Sequence, residues 1–231
     1  MAFPAPYQGD FKKECVSPKL ENVMRLEVGI IKLVEEVIGI SAERRAQFDW
    51  LRNKPRREDF GKHYDAVMTL YTALKGNWEG TTAKADGYLT PDAYFPEPYH
   101  FIFEFDELQH FTQFRERTFQ HYPADIEIAY APQKYRQFCQ QYHTAALAKG
   151  PARFRRKTAD FPYTNGRAAQ RAFFDTFRDW LPPLHGLNPT LRLAEFEVTP
   201  ILNGQLTNTA AKDYMQRLLH QRLRKLLTLK K

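Results

Sequence analysis

The sequence lacks any run approaching the ~20 apolar residues that a membrane-spanning helix needs, so no membrane partner is expected. Cysteine is scarce. Cys15 and Cys139 lie far apart and in no metal-ligand or redox spacing. Free thiols in a reducing cytoplasm are therefore expected. The opening residues, MAFPAPYQGDFKKECV, place no long apolar run behind their charges, which argues against a secretory signal. There is no internal repeat and no low-complexity tract. What is present is ample for folding. Hydrophobic residues make up 43% and aromatics 14% of 231 residues, enough to bury the core of one large domain or two small ones. The formal charge is +7, a moderate basicity that permits a polyanionic partner without requiring one.

Periodicity and breakers outline the elements. Residues 1–17 read as an irregular lead-in broken by Pro4, Pro6 and Gly9. Ser17-Pro18 then opens a helix that Gly39 stops. Further helices are expected from Ser41 to about Asn53 and from Glu58 to Leu74. A glycine-punctuated loop at 76–90 precedes two strands, Tyr88–Phe95 and His100–Asp106, joined through Pro96-Glu97-Pro98 as an antiparallel hairpin. A short helix at 111–122 and a strand at Ile126–Tyr130 follow. Then come helices Lys134–Lys149 and Arg167–Leu181, the latter stopped by Pro182-Pro183, a strand Leu191–Val198, and a basic amphipathic helix over 208–229. The alternation predicts an α/β or α+β fold with a small mixed sheet flanked by helices. It divides into a helical region 1–75 packed on the core, an α/β core 76–200 with an insertion at about 111–164, and a basic C-terminal helix 201–231.

Thr90–Phe111, TPDAYFPEPYHFIFEFDELQHF, carries the most chemistry. Side chains alternate along a strand, so Glu104 and Asp106 share one face while Phe101, Phe103 and Phe105 take the other. Two carboxylates side by side on an apolar strand repel each other and cost desolvation energy unless something positive lies between them. A divalent metal ion would resolve this, with Asp92, Glu104 and Asp106 as its ligands. The alternatives are a sheet edge with its acids in water and, for Asp92, an ordinary Pro-Asp turn.

This pattern resembles the PD-(D/E)XK nuclease superfamily. Glu104-Phe105-Asp106 with Gln109-His110 is similar to the Glu-x-Asp-x-x-x-His pattern of relatives of the very-short-patch repair endonucleases. Asp175-Thr176-Phe177-Arg178-Asp179, then Gly186 and Leu191-Arg192-Leu193, looks like the helix, turn and strand that follow in that group. The resemblance implies a restriction-endonuclease-like fold and a metal-dependent endonuclease that cleaves DNA, most simply double-stranded. Magnesium (Mg2+) or manganese (Mn2+) would be the cofactor. Asp92, Glu104 and Asp106 would hold the metal, with His110 as general acid or base. The superfamily's usual lysine, two residues after the second acid, is absent. Asp106 stands there, or Gln109 if Glu107 is the second acid. Lys84 or His110 would then substitute.

Several cations are candidates for nucleic-acid binding. Lys84 precedes the motif, Arg115 and Arg117 follow it, and Arg153, Arg155 and Arg156 sit in a basic aromatic loop. Each also reads as an ordinary surface charge, and His110 as a core or capping histidine. Arg171, Asp175 and Arg178 read as an intrahelical ion pair. Trp50, Trp78 and Trp180 are expected in the core. The leucine stripe of the last helix must be buried in the core or in a homodimer. Two further functions fit the sequence: a catalytically inactive nucleic-acid-binding protein on the same fold, and a structural protein that binds a partner through the C-terminal helix.

Overall fold

The aromatic alternation of FIFEFD does form a strand, and the molecule is arranged around it. A computed structural model describes residues 18–149 and 152–228, with side chains described for 26–148, 152 and 155–223. The fold is mixed α+β. Strands β1 (Ala93–Phe95), β2 (Phe101–Asp106) and β3 (Asn188–Ala194) form a three-stranded sheet in the order β1-β2-β3. β1 and β2 pair antiparallel, as a hairpin does, while β2 and β3 pair parallel. A parallel pair needs a crossover, and the long helical segment between β2 and β3 supplies it.

Helices α1 (Pro18–Ile38), α2 (Arg57–Phe60), α3 (Tyr64–Ala73) and α4 (Trp78–Ala83) precede the sheet. Between β2 and β3 lie α5 (Gln113–Thr118), α6 (Pro132–Lys149) and α7 (Gly166–Leu184), and α8 (Thr199–Leu202) and α9 (Asn208–Thr228) follow. The two sheet faces differ in chemistry. Phe101, Phe103, Phe105, Leu191 and Leu193 pack with Ile30, Ile31 and Val34 of α1 and with Met215, Leu219 and Leu223 of α9. The opposite face lies under α7, whose far side packs with α2 and α3 through Phe60, Val67, Leu70, Phe173, Phe177 and Trp180. The leucine stripe of α9 is thus covered within the chain at Met215, Leu219 and Leu223, which leaves those residues no surface for a homodimer. Leu226 and Leu227 lie outside the described side chains, and Ser17, Cys15 and the expected lead-in lie outside the described residues.

The structure corrects several expected elements. Residues 41–53 are not a helix. Glu43 and Arg52 instead form antiparallel bridges with Tyr94 and Tyr88, so this segment covers the open edge of the sheet. Arg45, at φ 56°, has a backbone no right-handed helix accepts. The expected strand Tyr88–Phe95 shrinks to β1, with Tyr88 only bridged. The helix expected from Glu58 breaks at Gly61, whose φ of 51° suits glycine alone. The 76–90 loop contains α4. Ile126–Tyr130 forms no strand; Ile126, Ala129 and Tyr130 are buried, and the Tyr130 hydroxyl donates to Asp179. The last strand spans Asn188–Ala194, not Leu191–Val198. Trp78 is 42% exposed, and Trp50 is half-buried, stacked on Phe48 and His185; Trp180 is buried as expected.

Pro182-Pro183 does not stop α7, which runs on to Leu184. Proline at 182 removes the N–H that would reach the Arg178 carbonyl. The Thr190 hydroxyl donates to that carbonyl instead. A β3 side chain therefore repairs the helix and fixes it to the sheet.

Phe103 is wholly buried between sheet, α1 and α9, with the Phe95 ring 6.3 Å away. Phe103→Ala is expected to lower the unfolding free energy by about 3–5 kcal/mol, read as a shift in urea midpoint.

Candidate metal centre in a buried charge network

The charged face of the sheet is assembled from three elements. β2 contributes Glu104 and Asp106, both buried. β3 contributes Arg192, which lies opposite Glu104 in the parallel register and has no exposed surface. α7 contributes Arg171, Asp175, Arg178 and Asp179, whose spacing puts them on one helical face.

Arg192 is the hub. Its Nη1 donates to Asp106 Oδ1 at 2.7 Å, its Nε to Asp179 Oδ1 at 2.7 Å and its Nη2 to the Asp175 carbonyl at 3.1 Å. Nη1 is also 4.0 Å from Glu104 Oε2. Asp179 Oδ2 accepts in turn from Arg115 Nη2 and the Tyr130 hydroxyl, each at 2.7 Å. The positive charge that two strand carboxylates demand is thus supplied first by arginine. Arg178 adds to it, with Nε 3.2 Å from Glu104 Oε1 and Nη1 3.6 Å from Asp175 Oδ1.

The compensation is uneven. Burial opposes charge on Asp175, but His110, Arg192 and Arg115 outweigh it and hold the carboxyl well below the usual range. Asp179 is held down in the same way by Arg192 and Arg115. Burial pushes Glu104 up to about 8, with Arg178 opposing and Asp92 adding to the rise. Burial and the nearby Glu27 push Asp92 up to about 7. Asp92 Oδ2 accepts the Phe105 backbone N–H at 2.8 Å, a bond that ties the approach to β1 onto β2. Although the residue as a whole is only half-buried, its carboxyl is enclosed by protein.

His110, in the short helical turn Leu108–His110 after β2, reaches back into this network. Its Nδ1 is 3.0 Å from Asp175 Oδ2 and 3.1 Å from Asp106 Oδ1. Its Nε2 is 2.8 Å from Arg171 Nη1. A guanidinium only donates, so Nε2 accepts and the ring proton sits on Nδ1, facing the two carboxylates. One ligand atom each from Asp106, His110 and Asp175 lies within 4.8 Å of the others. Among the described residues this is the group that can hold a metal ion; Asp92 and Glu104 fall outside it. Of the residues expected from sequence, Asp106 and His110 lie in this group together with Asp175, while Asp92 and Glu104 do not.

The donors fit a cation. Adjacent ligand atoms around an octahedral ion with ~2.1 Å bonds lie about 3.0 Å apart. Asp106 Oδ2 and Asp175 Oδ1 are buried and accept no hydrogen bond, although Asp175 Oδ1 has Arg178 Nη1 at 3.6 Å and Arg192 Nη2 at 3.8 Å.

Residues 69–158 match the family of unknown function DUF7255. No curated protein and no solved structure matches the chain. The matched stretch carries Asp92, Glu104, Asp106 and His110 but ends before α7 and β3, which supply Asp175, Arg178 and Arg192.

The expected nucleic-acid contacts scatter. Arg115 is 2% exposed and bonded to Asp179, Tyr122, Tyr130 and Thr118, so it cannot touch a phosphate. Lys84 gives its charge to Asp160 at 2.6 Å, not to the carboxylates of β2. Arg117 is exposed and donates to the Ala73 carbonyl. Arg155 donates to the Leu147 and Ala148 carbonyls near the end of α6. Arg156 is exposed, and the Arg153 side chain lies outside the described residues. Cys139 is a buried free thiol pushed up to about 12 by burial, which leaves it inert as a nucleophile. The residue that sequence reasoning missed is Arg192. Its one signal was a basic residue at a polar position of an apolar strand, and only the register shows that it faces acids.

Arg192→Met would leave Asp106 and Asp179 without their shared cation. The expected loss is about 3–5 kcal/mol, and Arg192→Met with Asp179→Asn should recover part of it in denaturant titration. The raised carboxyls set a pH dependence. Folded Glu104 and Asp92 bind protons more tightly than the unfolded chain, so their contribution is complete below the ordinary carboxyl range and lost as pH rises to about 8. Asp175 and Asp179 act oppositely and lose theirs only on strong acidification. In EDTA, thermal stability should fall from pH 5 to pH 8, and Glu104→Gln should flatten that fall.

Proposed function

We propose that the protein is a metal-dependent nuclease that hydrolyses phosphodiester bonds in DNA, with its cation held by Asp106, His110 and Asp175. The observation that carries the reading is the convergence of one ligand atom each from Asp106, His110 and Asp175, all within 4.8 Å of one another, with both carboxylates buried. The resemblance of Thr90–Phe111 and of the α7–β3 segment to PD-(D/E)XK nucleases supplies the reaction class. A histidine among the donors favours manganese or a similar borderline ion over magnesium. A bound divalent ion would supply an activated water and charge stabilisation for the phosphoryl group. The chain's own residues do the rest. Arg192 holds Asp106 in place, and Arg171 beside Nε2 orients the His110 ring. Glu104 shares a strand face with Asp106, and its carboxyl, pushed up to about 8 by burial, is a candidate proton donor on this reading.

A second reading has its own support. Arg192 and Arg178 already neutralise much of the acid cluster, and the strand has Asp106 where the resembled family has lysine. On that reading the protein binds nucleic acid without cutting it.

Two measurements decide between them. Calorimetric titration with manganese and magnesium should give binding that Asp175→Asn weakens at least tenfold. Metal ligands must be free of protons, so binding should be lost on acidification. Plasmid and single-stranded DNA incubated with the metal-loaded protein should be cleaved, and Asp175→Asn should abolish it. Metal binding without cleavage favours the second reading; absence of both ends the nuclease claim.

A further inference from the structure

Arg178 has two sides. One meets Glu104 and Asp175. The other lines a cavity of about 370 Å³ together with Lys84, Arg167, Tyr88, Leu89 and Phe174. Three cations line it and no carboxylate does. Asp160 lies behind Lys84, 1% exposed, bonded to the ammonium at 2.6 Å and to Gln170 Nε2 at 2.7 Å. It therefore positions Lys84 without offering an incoming anion a repulsive surface. The Arg167 backbone N–H donates to the Arg156 carbonyl at 2.9 Å, which joins the cavity to the exposed basic stretch Arg155–Lys157.

The remaining lining mixes polar Asn53, Thr90 and Gln170 with Tyr88, Leu89 and Phe174. Leu89 and Phe174 are 8% exposed each. Tyr88 is 39% exposed, with the Arg52 guanidinium 3.8 Å from its ring centre. Cations beside an aromatic wall fit a phosphate attached to a planar base. A cavity of this size falls in the range of small-molecule sites. It suits one nucleotide, whereas a duplex, with its bases paired inside, would offer only its backbone.

We infer that this cavity takes one unpaired nucleotide of a single-stranded nucleic acid. The phosphate lies among Lys84, Arg167 and Arg178, and the base lies against Tyr88 and Leu89. The binding site stands on the cavity alone. Its role in substrate positioning rests on the nuclease reading, and through Arg178 it would hold the strand beside Glu104 and shift the substrate from duplex to single strand.

The test is fluorescence anisotropy of the full chain with a labelled oligothymidylate in EDTA, so that metal binding plays no part. The single strand should bind, with affinity falling steeply with salt, and a duplex of matching length should bind more weakly. Arg167→Glu and Tyr88→Ala should each weaken binding about tenfold, and Arg167→Lys should restore most of the loss. If Arg167→Glu does not fold, Tyr88→Ala carries the test. Tighter binding to duplex, or wild-type affinity in the folded variants, overturns the inference. The two proposals fail separately. Oligonucleotide binding without cleavage strikes only the nuclease reading. Cleavage by a protein whose single-strand binding ignores Arg167 and Tyr88 strikes only the cavity.

Discussion

The Arg192 guanidinium is the constraint on which the rest of the charged half of the fold depends. One planar group ties β2 through Asp106 to α7 through Asp179 and the Asp175 carbonyl. Asp179 then passes the connection to α5 through Arg115 and to the 126–130 segment through Tyr130. Buried ion pairs add little net stability compared with an apolar contact of the same volume, but they are intolerant of displacement. The height and rotation of α7 over the sheet are thus set by directional bonds. The opposite face, with α1 and α9 over phenylalanines and leucines, supplies the non-directional burial.

The same network explains why one place in it remains incomplete. Asp106 and Asp175 each lend one oxygen or carbonyl to Arg192 or His110 and keep a carboxylate oxygen without a hydrogen bond. Fold and proposed chemistry therefore draw on the same side chains. Arg178 links this centre to the basic cavity on its other side, so that the acid cluster and the cationic cleft share one residue.

Much of the architecture was legible from local pattern. The strand FIFEFD, the hairpin before it, α1 with its Gly39 stop, α6 and α9 all follow from periodicity and breakers. The elements that differed did so for tertiary reasons. Residues 41–53 have helical spacing but are needed as cover for the β1 edge. Ile126–Tyr130 alternates like a strand, yet Ile126 and Tyr130 are buried in hydrophobic clusters without pairing to the sheet. The prolines of α7 would end a free helix, but Thr190 from β3 satisfies the carbonyl that Pro182 cannot.

By itself the sequence determined that Glu104 and Asp106 share a strand face opposite the phenylalanines, because a strand's period of two is a local property. It determined equally that two buried acids there require positive charge nearby. Which charge answers that requirement was decided only by tertiary structure. The parallel register brought Arg192 opposite Glu104, and the rotation of α7 brought Asp175 and Arg178 to the same face. The turn after β2 folded His110 back onto Asp106. These partners lie 65 to 86 residues away in the chain for His110–Asp175 and Arg192–Asp106. Contacts at such separation depend on strand pairing and helix packing, which no local pattern encodes.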